Sequence, residues 1–282
     1  MAATDKIHRL VGQLRHLPAL YRPDVFAATS LTALLGWNLA QRPLSPFTAV
    51  LILFISGVLY NLVYTVNAIS DIPEDRINKP ERPLPSGRLS RKLAKTWALS
   101  LAAASLVGTF ILFDANSRLL ALGVVLAAWA YSLPPLPLKR YPIVSSMVTG
   151  YGLVHPIFIT GGAPVYREAW VLVFMAIGTT LLKDLADLEG DRRAGRMVVT
   201  RWMPLKGVLT LALIFQGFSL GAAAYFHRLH LAPIAGLMFL YLLRKLLGPR
   251  LREDTCQDLY PMAIRLVLIS GAGVVLFQYL RG

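Results

Sequence analysis

Residues 47–66 read FTAVLILFISGVLYNLVYTV, twenty positions without a charge, and run directly into NAISDIPED, residues 67–75, with three acids in its last five positions. A helix rises 1.5 Å per residue, so roughly 20 apolar residues cross the ~30 Å hydrocarbon core of a bilayer. The same reading extended along the chain finds about nine such runs, at roughly 24–40, 47–66, 93–113, 117–133, 143–161, 168–185, 204–225, 229–248 and 260–280. Only 16% of the 282 residues are charged and 55% are hydrophobic, whereas soluble domains carry about 25% charged residues. A water-soluble domain, a disordered chain, a collagen, a coiled coil and a disulfide scaffold are thereby excluded. The single cysteine, Cys256, can form no internal bridge and no CxxC-type metal site. The expected fold is all-α, a polytopic membrane protein.

The formal net charge of +14 would suit nucleic acid until the charges are placed. With nine spans, 24 of the 29 Lys and Arg fall on one side, and only Arg42, Arg118, Arg167, Arg228 and Arg281 on the other. Basic connections stay cytoplasmic, so the N-terminus is expected inside and the C-terminus outside. No nucleic-acid partner is implied. Ile7, Leu10, Val11 and Leu14 recur at helical spacing, with basic residues between them. Residues 1–20 therefore read as an amphipathic segment on the membrane surface, ended near Pro18, ahead of a single membrane domain filling the chain. No transit-peptide pattern precedes it, so a plasma membrane is expected.

Eight of the 15 acids lie in two windows: Asp71, Glu74, Asp75 and Glu81, then Asp184, Asp187, Glu189 and Asp191. Both sit at the cytoplasmic ends of spans, where a charge near hydrocarbon is costly and something positive should offset it. Asn67, Asp71 and Asp75 are spaced four apart, and Asp184, Asp187 and Asp191 three and four, so each set shares one helix face. Pro73 should kink or end the first helix, and Gly190 weakens the second. Two faces of hard oxygen donors suit Mg²⁺, which commonly shares its shell with substrate phosphates. Lys79, Arg82 and Arg88 follow the first cluster, Lys183, Arg192 and Arg193 flank the second, and Lys139 and Arg140 come from a third connection. Metal-binding acids beside phosphate-matching bases are what a diphosphate requires.

These residues resemble the UbiA superfamily of intramembrane prenyltransferases. Asn67-Ala-Ile-Ser-Asp71-Ile-Pro-Glu-Asp75 is similar to that family's NxxxDxxxD motif, and Asp187-Leu-Glu-Gly-Asp191 to its second aspartate-rich motif. Tyr131-Ser-Leu-Pro-Pro-Leu-Pro-Leu-Lys139 resembles its YSxPPxxxK connection, and Arg22-Pro23 the RP before its first helix. Ala68 stands where many members carry an acid. The resemblance implies nine helices around a central cavity with its mouth on the cytoplasmic side. It implies Mg²⁺ ligation by Asn67, Asp71, Asp75, Asp187 and Asp191, and diphosphate contacts from Lys79, Arg82, Lys139 and Tyr131, with Lys183 beside them. The implied reaction joins the isoprenoid chain of a prenyl diphosphate to a hydrophobic, usually aromatic, acceptor.

On this reading the allylic C1–O bond breaks, metal and bases stabilise the leaving diphosphate, and the membrane cavity excludes water. Tyr60, Tyr64 and Tyr131 are placed to face the cation or to anchor at the interface. His155, within the fifth run, faces the cavity or packs in the core. A terpene cyclase on the same scaffold would need the same metal motifs. A transporter would carry its acids nearer mid-membrane, and a purely structural membrane protein would need no acidic pairs.

Overall fold

Helices start in this chain where a short polar side chain or a proline precedes an apolar run. Ser45 and Thr48 form a reciprocal capping box, each side-chain oxygen 3.2 Å from the other's backbone nitrogen. Ser90 and Asp114 cap the next two long helices, and Pro23, Pro46 and Pro142 occupy first turns, where no N–H is missed.

The computed structural model describes residues 8, 10–135, 137–186, 188–193, 195, 197–248, 259–265 and 269. Its helices are α1 Pro23–Leu39, α2 Pro46–Ser70, α3 Ile72–Asn78, α4 Arg91–Leu112, α5 Ala115–Ser132 and α6 Pro142–Gly161. They continue as α7 Tyr166–Thr180, α8 Lys183–Ala186, α9 Leu188–Arg193, α10 Leu205–Tyr225 and α11 Ala232–Leu247. Among the described residues there is no strand, so the chain is all-α as its composition required. Helices α2, α4, α6 and α10 are long and apolar enough to cross a membrane. Most of the ninth expected run, 260–280, and residues 1–7 and 9 of the N-terminal segment lie outside the described residues. Residues 10–14 are helical, and Leu10, Val11 and Leu14 are all exposed, as an interfacial face would be.

Helix α7 packs between α6 and α10, α10 on α11, α1 on the end of α6, and α2 on α4 and α5. Lipid offers no hydrophobic push between helices, so small residues and interhelical hydrogen bonds set these contacts. A Cβ on Gly36 of α1 would stand 2.5 Å from the Ile157 carbonyl oxygen, and one on Gly150 of α6 would stand 2.6 Å from the Ile177 nitrogen of α7. Hydroxyls bridge the same pairs: Thr160 Oγ1 donates to the Ala33 carbonyl at 2.8 Å, and Thr180 Oγ1 to the Ser146 carbonyl at 2.7 Å. Tyr60 on α2 donates to the Gly152 carbonyl of α6 at 2.6 Å. Such bonds average about 0.6 kcal/mol each.

Helix α2 contains one π-helical turn, Ile55–Leu59, and α6 is broken at His155, where Pro156 opens a second short helix. The acidic segments occupy breaks as well. α2 ends at Ser70, Asp71 takes φ −91° and ψ 4°, and Pro73 falls in the first turn of α3, where it removes no needed hydrogen bond. The second acidic segment is helical over Lys183–Ala186 (α8) and Leu188–Arg193 (α9), and Leu181 and Leu182 set α8 off from the end of α7 at Thr180. Leu181, Leu182 and Leu185 are buried in one core cluster, and Leu188 is buried as well.

Candidate active site

The four-residue spacing of the first motif survives its break in the backbone. Asp71 N–H bonds the Asn67 carbonyl, Asp75 N–H the Asp71 carbonyl and Lys79 N–H the Asp75 carbonyl, each at 2.8 Å. Asn67, Asp71, Asp75 and Lys79 consequently stay in line and border one cavity of about 440 Å³. Tyr60, Tyr64 and Asn67 of α2, with Asp71 just past its end, form its wall at three- and four-residue steps. Asp191 of α9 joins them, because α9 packs on α3. Asn78 at the end of α3 donates to Asp191 Oδ1 at 3.0 Å, which ties the two acidic segments together.

Each described acid of the site that has a resolved partner already holds a base or an amide. Asp71 accepts from Asn67 Nδ2 at 2.7 Å through Oδ2, and from Lys139 Nζ at 2.5 Å through Oδ1. Lys139, buried to 8% exposure, also donates to Ser70 Oγ at 2.6 Å. Asp75 Oδ2 pairs with Arg82 Nη1 at 2.8 Å. Burial raises the Asp75 carboxyl above its ordinary range even though Arg82 pulls it down. Arg22, on the same cavity wall, pairs with Asp24. Burial works against its charge and that pairing more than restores it, so the guanidinium is held above its ordinary range.

Of the expected site residues, Asn67, Asp71, Asp75, Asp191, Lys79, Arg82, Tyr131 and Lys183 border the cavity. Lys139 reaches the site through Asp71 and otherwise lines a separate groove. The Tyr131 ring borders the cavity while its hydroxyl bonds Ser145 Oγ at 2.8 Å and Thr149 Oγ1 at 3.2 Å. Asp187 lies outside the described residues, and of Asp184 only the backbone is described. Asn78, Ser70 and Tyr260 were not expected. Asn78 carried a signal, standing three positions beyond Asp75 on the same helix; Tyr260 carried none, since it is 185 positions from Asp75 in the chain.

The donors around this cavity are carboxylate and amide oxygens, with no thiolate, and His155 lies among apolar residues deeper in the same space. Among the described residues no three of His, Cys, Asp and Glu converge tightly enough to hold an ion by themselves. That set suits Mg²⁺, which is commonly held by one or two carboxylates together with substrate phosphates. The burial of Asp75, which Arg82 only partly offsets, is the kind of cost a divalent cation relieves. Beyond the acids the cavity turns apolar, along Leu119, Gly123 and Ala127 of α5 and Gly152 and Leu153 of α6.

Residues 29–264 match the model of the UbiA prenyltransferase family. The chain is 32% identical over 187 residues to digeranylgeranylglyceryl phosphate synthase of Methanoculleus marisnigri, covering 62% of this chain and 63% of that one. It is 33% identical over 177 residues to the chloroplastic 2-acylphloroglucinol 4-prenyltransferase of Humulus lupulus, covering 56% of this chain and 42% of that one. The alignments thus span less than two thirds of the length of these two relatives. The fold is similar to that of a UbiA homolog from Archaeoglobus fulgidus solved with DMAPP and Mg²⁺, with a TM-score of 0.69 at 19% identity over 93% of this chain and 99% of that one.

Proposed function

The chain belongs to the UbiA prenyltransferase family, and from that premise we propose that it is an Mg²⁺-dependent intramembrane prenyltransferase. It moves an isoprenoid chain from a prenyl diphosphate to a hydrophobic acceptor, aromatic by preference, and releases diphosphate. One observation carries this reading: acids from two distant segments, with bases from two connections and from the segment before α1, border a cavity whose remaining lining is largely apolar. A prenyl diphosphate has the same division, and the solved Archaeoglobus homolog holds DMAPP with Mg²⁺.

Asn67, Asp71, Asp75, Asp187 and Asp191 would hold the metal, which supplies positive charge to the leaving diphosphate. Lys79, Arg82 and Lys183 meet the diphosphate oxygens at the cavity mouth. Arg82 and Lys139 are held on Asp75 and Asp71 in the structure, so the carboxylates store the bases beside the place where the anion arrives. The C1–O bond breaks with its electron pair going to diphosphate, and the acceptor atom bonds C1 and loses a proton. The rings of Tyr60, Tyr64 and Tyr131 border the cavity, and a desolvated ring face stabilises a cation by about 2 kcal/mol or more. The apolar walls keep water from capturing that cation. The enzyme works in a plasma membrane with its N-terminus cytoplasmic and its C-terminus external, as the basic asymmetry of its connections directs.

The test is made on detergent-purified protein with dimethylallyl, geranyl or geranylgeranyl diphosphate, with and without Mg²⁺, against Asp71→Ala and Asp191→Ala. Mg²⁺-dependent donor binding lost in both variants, with turnover only when an aromatic acceptor is added, is the expected result. Release of a cyclic hydrocarbon without acceptor would instead make the protein a cyclase. Failure to bind any of the donors would defeat the diphosphate site.

A further inference from the structure

Helix α2 turns its second face to another cavity. Tyr60, Tyr64, Asn67 and Asp71 border the donor site, whereas Leu62, Val66, Ile69 and Ser70 line a groove of about 890 Å³ closed by α4 and α5. The groove has two distinct ends. On α4 its lining runs Arg91, Lys95, Ala98, Leu99 and Ala102, one helix face that begins with two cations and continues apolar. Arg140, from the connection after α5, also borders the charged end. Among the described residues none of Arg91, Lys95 and Arg140 pairs with a carboxylate, and all three are exposed. Trp129 of α5 and Leu99, 50% and 64% exposed, face the apolar end.

From these features we infer that the groove binds one anionic phospholipid of the surrounding bilayer. Three cations that pair with no carboxylate among the described residues outnumber the one acid of the lining, Glu74, and offer forked and point donors to a phosphate. The eleven residue steps from Arg91 to Ala102 span about 16 Å of helix, roughly half the ~30 Å hydrocarbon thickness, which is the depth one acyl chain occupies in one leaflet. Charge at the membrane surface and an apolar trough below it match a lipid with a negative headgroup. Glu74 borders both the groove and the other cavity, and Lys139 of the groove pairs with Asp71 of the acidic site. The assignment does not depend on the transferase reading.

The experiment is native mass spectrometry of the full chain in detergent, offered phosphatidylglycerol or phosphatidylcholine with the same acyl chains. One phosphatidylglycerol should be retained at least tenfold more than phosphatidylcholine. The combined variant Arg91→Gln/Lys95→Gln/Arg140→Gln should lose at least tenfold of that retention. Ala102→Trp, which fills the trough and keeps every charge, should lose it equally. Equal retention of the two lipids, or full retention by Ala102→Trp, would overturn the site; the second result would reduce it to a diffuse basic surface. Displacement of the lipid by millimolar inorganic phosphate would overturn it in favour of a free-phosphate site. If the triple variant does not purify as a monodisperse protein, Arg140→Gln and Ala102→Trp carry the test.

Discussion

The side-chain amide of Asn78 donates to Oδ1 of Asp191 at 3.0 Å, joining two acidic segments 113 residues apart in the chain. This tie fixes the mutual position of α3 and α9, neither of which spans the membrane, and each of which is too short to hold its place alone. It also orients one of the carboxylates proposed to hold Mg²⁺, by a group outside that proposed ligand set.

Asn78→Ala should therefore raise the Mg²⁺ concentration needed for half-maximal diphosphate release by roughly 10–100-fold, the usual effect of losing a partner that orients a metal ligand. A metal titration at saturating donor measures it. An unchanged titration would show the contact to be incidental.

Lys139 and Asp71 form a pair whose side chains are 7% and 13% exposed. Removing one member of such a pair leaves a buried charge, at a cost of about 3–5 kcal/mol. Lys139→Met should lower the melting temperature of the donor-free protein, and the double variant Lys139→Met/Asp71→Asn should regain most of the loss. Thermal unfolding in one detergent compares the two.

Asp114 caps α5, accepting from the Ser117 nitrogen at 2.9 Å. That hydrogen bond holds its carboxyl below the ordinary 3.8. A carboxyl that is more acidic when folded stabilises the fold at pH values above its unfolded pKa and loses that contribution as pH falls through the folded pKa. Asp114→Ala should cost about 0.5–2 kcal/mol at neutral pH, and the gap from wild type should close in acid. Melting curves from pH 7 downward test both the size and the sign.

Leu119, Gly123, Ala127 and Tyr131 present one four-residue stripe of α5 to the donor cavity. A Cβ on Gly123 would meet nothing within 4 Å, so Gly123→Leu should fold and project into the cavity. Turnover of geranylgeranyl diphosphate should fall at least tenfold while dimethylallyl diphosphate is little affected. Gly150→Ala makes the contrast: its Cβ would lie 2.6 Å from the Ile177 nitrogen, and overpacking of this kind costs about 1–3 kcal/mol for every substrate alike.

The helical architecture was legible because each run had to satisfy the bilayer, which leaves a long uncharged stretch in the sequence; α2 and α4 begin and end within a few residues of expectation at most boundaries. The first motif was legible because its spacing matches the helical repeat, and its hydrogen bonds keep that repeat across the break at Asp71. Asn78 shares the helix of Asp75, but its role depends on Asp191, a partner 113 positions away that spacing alone does not reveal. The end of α7 ahead of Lys183 was missed because Leu181 and Leu182 continue its apolar run in the sequence. The placement of Lys139 depends on two connections meeting, which no local pattern encodes.

The π turn at Ile55–Leu59 bears on insertions and deletions. Such a turn takes up one residue more than an α-helix does over the same length, so the segments on either side keep their facing. Removing one residue from 55–59 should leave Tyr60, Tyr64, Asn67 and Asp71 aimed as they are. Removing one from 61–66 should turn Asn67 and Asp71 by about 100° relative to Tyr60, since a helix advances 3.6 residues per turn. The same gap in an alignment would thus be silent in one half of α2 and would dismantle the proposed metal-binding face in the other.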